Sequence, residues 1–316
     1  MKELEIISTI KNTLGDSSFI GDDTAWVDGM VFTQDTLVEN LHFSLDTIAP
    51  QMLAIKALQV NLSDLAAAGS VPCYCLISLS LPSSLSENFV KDFYVGIDKV
   101  CLQTGLKVIG GDVTGGECVV ISVAMIGRSS RAVGRGGAKE GDVVFVTGEH
   151  GNSCAGLEIL SKKLSGENFY NDFIDAHLAP VAKLLEGQTI LNNTSRLAMM
   201  DSSDGLGDAL FKIAQSSFCT LCVDFQNIPI NSNLPVFAKD NLEFFVFFGG
   251  EDYELVGAMP KDDFEVISKK IKLYKIGEVV KKQDCPVIVQ NSSFVRYINE
   301  KIIMEKSFNH FKGGEG

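Results

Sequence analysis

Residues 56–72 read KALQVNLSDLAAAGSVP, and residues 73–82 continue as CYCLISLSLP. Leu58, Leu62 and Leu65 fall on one helical stripe, which predicts a helix over Ala49–Gly69 that Gly69 stops. Cys73–Leu81 is then a strand, bounded by Pro72 and Pro82. Asp64 sits inside the apolar helix, where Asp is a poor former, and Asn61 lies one turn back on the same face. An apolar helix with one polar spot, leading into a strand, marks an α/β unit whose helix carries part of a site.

Outward from this pair, residues 2–14 read as a short amphipathic helix, Met30–Thr33 as a strand and Glu87–Thr104 as a helix. Leu106–Ile109 and Cys118–Ile126 are strands flanking a glycine-rich loop, Gly110–Gly116. A glycine-rich break at Arg131–Gly141 divides the chain into a first domain, 1–137, and a second, 138–316. The second opens with a strand, Asp142–Thr147, followed by helices at about 152–164, 169–178 and 180–191. Leu197–Met200 is a strand leading into DSSDG, and Gly205–Gln215 a helix with Leu206, Leu210 and Ile213 on one face. Later strands are expected at 221–225, 253–258, 274–280, 286–289 and 294–298.

The 316 residues suggest about two domains. A hydrophobic content of 46% beside 21% charged residues is globular, not disordered. The net charge of −13 argues against nucleic acid held on a basic face, since that binding neutralises phosphates with Lys and Arg. A phosphorylated ligand would have to be held through metal. The longest apolar run, Cys118–Ile126, is broken by Ser122 and falls short of the ~20 residues of a membrane span. The N-terminus carries acids among its apolar residues and no signal-peptide pattern, so a cytoplasmic protein is expected. Most of the eight cysteines sit in apolar stretches as small hydrophobes. Cys219 and Cys222 are spaced like half a zinc site or a redox pair, but no second pair accompanies them and burial is the simpler reading.

Carboxylates cluster beside glycines and hydroxyls at Gly21-Asp22-Asp23, Thr33-Gln34-Asp35, Gly110-Gly111-Asp112 and Asp201-Ser202-Ser203-Asp204-Gly205, with Asp64 as a fifth place. Singly, Asp22-Asp23 could be a turn and Asp204 a helix cap. Together, in a chain with 27 basic residues against 40 acidic ones, they favour a hard cation such as Mg²⁺, which bridges carboxylates to substrate phosphates. No EF-hand loop, Walker A loop or dinucleotide fingerprint is present. GGDVTGG could offer backbone N–H groups to an anion or could be a tight turn.

The segments GDDTA (21–25), TQDTLVENLHF (33–43), KALQVNLSDLAAAGSVP (56–72), GGDVTGG (110–116), RGGAKEGD (135–142), DSSDGLGD (201–208) and GGEDYEL (249–255) resemble, in order and spacing, the thiamine-monophosphate kinases. The resemblance runs from about residue 14 to the end. It implies an α/β (α+β) two-domain fold like that of aminoimidazole ribonucleotide synthetase, shared with selenophosphate synthetase. The N-terminal domain would pair into a dimeric β-barrel in a homodimer, and a C-terminal α/β domain would pack beside it. It implies ATP as co-substrate and several Mg²⁺ ions between the domains. The metal ligands would be Asp23, Thr33, Asp35, Asp64, Asp112, Asp201 and Asp204. ATP would meet Tyr94, Gly111, Asp112, Arg135 and Ser203, and the thiamine side would be lined by His42, Glu251 and Phe308. Two positions depart from the family pattern: Gln34 replaces the usual second Thr of its motif, and Phe308 stands where Trp or Tyr is common.

The implied reaction suits the composition. The acceptor is a phosphate monoester, largely dianionic at pH 7 because its second pKa is near ~6, so no general base is needed. The obstacle is repulsion between two polyanions, which Mg²⁺ relieves. No residue is therefore assigned a proton-transfer role. Without the resemblance, His42 could be an ordinary half-buried histidine, Glu251-Asp252 a turn, and Arg135 a linker charge. The rivals are another ATP-dependent, synthetase-type enzyme of the fold and a non-catalytic homologue. Against a selenophosphate synthetase, the first cysteine is Cys73, inside an apolar strand. Against decay, all the expected acids are present.

Overall fold

The computed structural model describes residues 3–291 and 293–307. The N-terminal part runs α1 (Glu3–Thr13), β1 (Ala25–Val27), β2 (Met30–Val38), α2 (Pro50–Ala67), β3 (Val71–Leu81), α3 (Glu87–Thr104), β4 (Lys107–Gly115) and β5 (Val120–Arg128). Its sheet has the order β1-β2-β5-β3-β4, antiparallel except for the parallel pair β3–β4. Pro50 starts α2 at a position where a missing N–H costs nothing. Leu58, Leu62 and Leu65 are fully buried, as their stripe predicts. On α3, the Ser86 hydroxyl accepts from Phe89 N, and Gly105 closes the helix at φ 75°.

The C-terminal part runs β6 (Val143–Val146), α4 (Asn152–Ser161), α5 (Tyr170–Leu178), α6 (Leu184–Asn193), β7 (Ala198–Asp201), α7 (Leu206–Ser217) and β8 (Thr220–Asp224). It continues with α8 (Leu234–Ala238), α9 (Leu242–Phe248), β9 (Leu255–Met259), α10 (Lys261–Ile267), β10 (Tyr274–Val280), β11 (Val287–Gln290), β12 (Val295–Ile298) and α11 (Glu300–Lys306). A seven-stranded sheet has the order β12-β11-β8-β10-β6-β9-β7. β6, β7 and β9 are buried at every residue, so they read as continuous apolar runs without alternation. Among the described residues no helix is long and apolar enough to cross a membrane.

α2 belongs to both halves. Leu53, Leu58 and Leu62 pack into the N-terminal core. Ala66 and Ala67 join Phe145, Ile190, Leu197 and Met199 in a cluster between the two parts. The end of α2 is thereby set against β7, whose last residue is Asp201.

Two elements of the N-terminal sheet depart from the sequence expectation in ways that bear on the site. β2 runs to Val38 because it pairs with β5 along its whole length, Thr33 opposite Met125 and Asp35 opposite Val123. Strand periodicity then puts Thr33 and Asp35 on one face with buried Val31 and Leu37, and Gln34 on the other. The segment expected as a loop is mostly strand: Gly110–Gly115 belongs to β4, in parallel register with Leu76–Leu81. Gly111 serves close approach, since a Cβ there would lie 1.8 Å from the Ile77 carbonyl oxygen. Pairing with β3 overrides the loop propensity of glycine.

Candidate active site

Four segments deliver carboxylates to one place. Asp22 and Asp23 lie on the turn before β1, and Thr33 and Asp35 on the inward face of β2. Asp64 comes from the last turns of α2, and Asp201 and Asp204 from the end of β7 and the turn that follows it. Oxygens of Asp23, Asp64 and Asp201 lie within 4.8 Å of one another.

Short polar side chains fix these acids. The Thr33 hydroxyl donates to Asp64 Oδ2 and lies 3.4 Å from the Asp23 carbonyl. Ser63 donates to Asp201 Oδ2 at 2.5 Å, and Ser203 donates to Asp201 Oδ1 at 3.2 Å. Asn61 accepts from the Asp35 backbone N–H at 3.1 Å while its amide donates to the Ala57 carbonyl at 3.0 Å, which pins β2 to α2. Arg135 pairs with Asp23 through Nη2 and approaches Asp22 Oδ1 at 3.5 Å. Lys212 reaches Asp204 at 3.1 Å and Asp208 at 2.6 Å.

The cluster is charge-frustrated. Burial pushes Asp35 up to about 6, reinforced by Asp23 and Asp204. Burial, with Asp23 beside it, pushes Asp201 up to about 7 even though Ser63 donates to it. Asp64 is raised well above the usual carboxylate range by burial, then by Asp35, Asp201 and Asp23. Carboxylates that cannot all ionise together in a poorly solvated site invite a cation. The donors are all oxygens, the ligand type of a hard divalent ion.

Asp23, Thr33, Asp35, Asp64, Asp201 and Asp204 are thus brought together, with Arg135 on Asp23 and Ser203 on Asp201. The other expected residues make different contacts. Asp112 lies on β4 opposite Ser78, exposed like the rest of that strand, and Gly111 precedes it. Tyr94, on α3, meets Phe93 edge-on at 5.7 Å, and burial with Cys75 raises its hydroxyl. His42 follows β2, and its Nδ1 accepts from Val38 N at 3.0 Å, which leaves the proton of the neutral ring on Nε2. Gln34 bonds to Ser122 at 3.2 Å on the outward face of the sheet, so its departure from the family pattern touches none of these acids. Phe308 lies outside the described residues.

Glu251 joins the site through its backbone: its N–H donates to the Ser203 carbonyl at 2.7 Å, and its φ is +68°. Burial would raise its carboxyl, but Lys56 and His177 outweigh that and hold it at about 2. Asp252 is pushed up to about 7 by burial, although it accepts from Gly151 N at 2.6 Å and Ser153 N at 3.0 Å at the start of α4. Sequence reasoning did not single out Lys56, Ser63, His177 or Lys212. The KALQVNLSDLAAAGSVP block contains the first two, and a lysine inside an apolar helix signals a buried partner.

The chain matches the family described as AIR synthase related protein, N-terminal domain, over residues 21–129, and its C-terminal domain counterpart over residues 139–290. The thiamine-monophosphate kinase of Bacillus subtilis (strain 168) is 34% identical over 332 aligned positions, covering 99% of this chain and 100% of that protein. The thiamine-monophosphate kinase of Aquifex aeolicus (strain VF5) is 38% identical over 269 positions, covering 82% and 86%. Among solved structures, AaThiL complexed with AMPPCP and TMP is similar at a TM-score of 0.86 and 33% identity, over 98% of this chain and 97% of that one.

Proposed function

Because the chain belongs to the thiamine-monophosphate kinase family, we infer that it transfers the γ-phosphoryl group of ATP to the phosphate of thiamine monophosphate, giving thiamine diphosphate and ADP. The observation that carries this is the convergence of Asp23, Asp64 and Asp201, from both parts of the chain, on one oxygen-rich spot. The similar AaThiL structure, which holds AMPPCP and TMP, supports ATP as donor and thiamine monophosphate as acceptor.

Mg²⁺ fits the donor set: hard oxygen ligands and mutual repulsion among the acids. Asp23, Asp35, Asp64, Asp201 and Asp204 would hold it, with Thr33 beside Asp64. When bound, the ions supply the positive charge that lets two polyanions approach. The chain's own residues do the positioning. Arg135, bridging the Asp22-Asp23 turn and the linker, is in reach of a phosphate drawn to that turn. Ser203 and the backbone of Gly111 would complete the phosphate side, and Asp112 and Tyr94 would reach the nucleotide across the β4–α3 side. His42, Glu251 and Phe308 would line the thiamine. The acceptor dianion attacks without a general base, so catalysis rests on alignment and charge.

The molecule works as a homodimer in this reading. β4 is an exposed edge strand along its nine residues, with Val108, Ile109 and Val113 outward, and an uncovered edge of that length favours a second copy. The reading places the enzyme in the cytoplasm. The test is incubation with ATP, Mg²⁺ and thiamine monophosphate, read for both products. Thiamine diphosphate and ADP in equal amounts are expected. ADP without thiamine diphosphate, or no product at any Mg²⁺ level, would contradict the activity.

A further inference from the structure

Two buried groups outside the aspartate cluster, Lys56 and His177, meet at Glu251. Lys56, on α2, is 1% exposed and donates from Nζ to Glu251 Oε2 at 3.2 Å and to the His177 carbonyl at 3.0 Å. His177, on α5, places Nδ1 3.1 Å from the same Oε2 and 3.1 Å from Ser153 Oγ. Lys56 comes from the N-terminal part, and His177, Ser153 and Glu251 from the C-terminal part.

Burying a lysine is costly in desolvation, and it persists where its partner is well placed. A simple staple between the two parts would need only that pair, and Glu251 does more. Its side chain stays 25% open, both anchoring contacts fall on Oε2, and its backbone adopts a left-handed φ of +68°. That conformation is strained for a residue with a side chain, and such positions gather at functional sites. The Glu251 N–H is bonded to Ser203, in the turn between Asp201 and Asp204, while Lys56 shares its helix with Asp64. The glutamate is therefore held from the two sides that build the aspartate cluster.

We propose that Lys56 and His177 are positioning residues for the phosphoryl acceptor, anchoring Glu251 by Oε2 so that Oε1 faces the cationic thiazolium ring of thiamine monophosphate. The proposal rests on the kinase reading above. A fixed carboxylate opposite a permanent cation contributes attraction where water is partly excluded, and a wandering one contributes less.

The test is steady-state kinetics on Lys56→Met, Lys56→Arg, Glu251→Gln and the Lys56→Met/Glu251→Gln double variant. Lys56→Met raises KM for thiamine monophosphate about tenfold or more and leaves KM for ATP within about twofold. Lys56→Arg recovers part of the loss. Because Lys56 acts through Glu251, the double variant matches Glu251→Gln alone instead of adding a second loss. Should Lys56→Met not fold, the double variant, uncharged at both positions, carries the same comparison. An unchanged acceptor KM in Lys56→Met, an equal rise in both KM values, or a further loss in the double variant would overturn the proposal. Absence of product with the wild-type protein would instead overturn the activity itself.

Discussion

Asp201 is 1% exposed and shares its surroundings with Asp23 and Asp35, which no stability argument favours. Unfolded aspartates lose their protons near pH 3.9, whereas Asp35 and Asp201 in the folded chain hold theirs to about 6 and about 7. Between those limits the folded state binds more protons than the unfolded one, so stability falls as pH rises. In protein stripped of divalent ions with EDTA, the melting temperature is therefore expected to drop from pH 5 to pH 8. Mg²⁺ should raise it more at pH 8 than at pH 5, because metal replaces protons on the same oxygens. Thermal melts at both pH values check this, and a stripped protein that gains stability over this range would contradict it. At this scale the candidate site was largely legible in the sequence, since Asp beside glycine and hydroxyl residues is a local pattern. Lys56 and His177 were not: their meaning depends on Glu251, 195 positions from Lys56.

Among the elements, β2 and β4 show where local reading stops. Glycines at 110, 111, 115 and 116 predict a loop, and only the parallel partner β3 makes the first three part of a strand. Long-range pairing of that kind has no signature within a window of a few residues. The helices α2, α3 and α7 were legible, because their apolar residues repeat at helical spacing. The short helices α9, α10 and α11, of seven residues each, are too brief for a periodic stripe to declare them. β4 also carries a prediction. If its open edge is the contact between copies, sedimentation should report twice the 34.2 kDa chain mass. Val113→Lys, at a position 69% exposed, should shift the protein toward monomer without unfolding it. A wild-type monomer at micromolar concentration would contradict the dimer.

For the whole molecule, α2 is the element on which both sheets converge. It buries leucines in one core, lends Ala66 and Ala67 to the cluster between the parts, and carries Lys56, Asn61, Ser63 and Asp64 toward the site. The net charge of −13 fits the same picture: a protein that handles two polyanions draws part of its positive charge from solution as cations. Acids delivered by both parts thus act, in the proposed kinase, as one cation site for phosphoryl transfer. The decisive variant is Asp64→Asn, assayed for thiamine diphosphate formation beside a thermal melt with and without Mg²⁺. The expected result is a fall in kcat of about 100-fold or more, loss of the Mg²⁺-dependent rise in melting temperature, and no loss of stability in the metal-free protein. Turnover and Mg²⁺ stabilisation close to those of the wild type would contradict it.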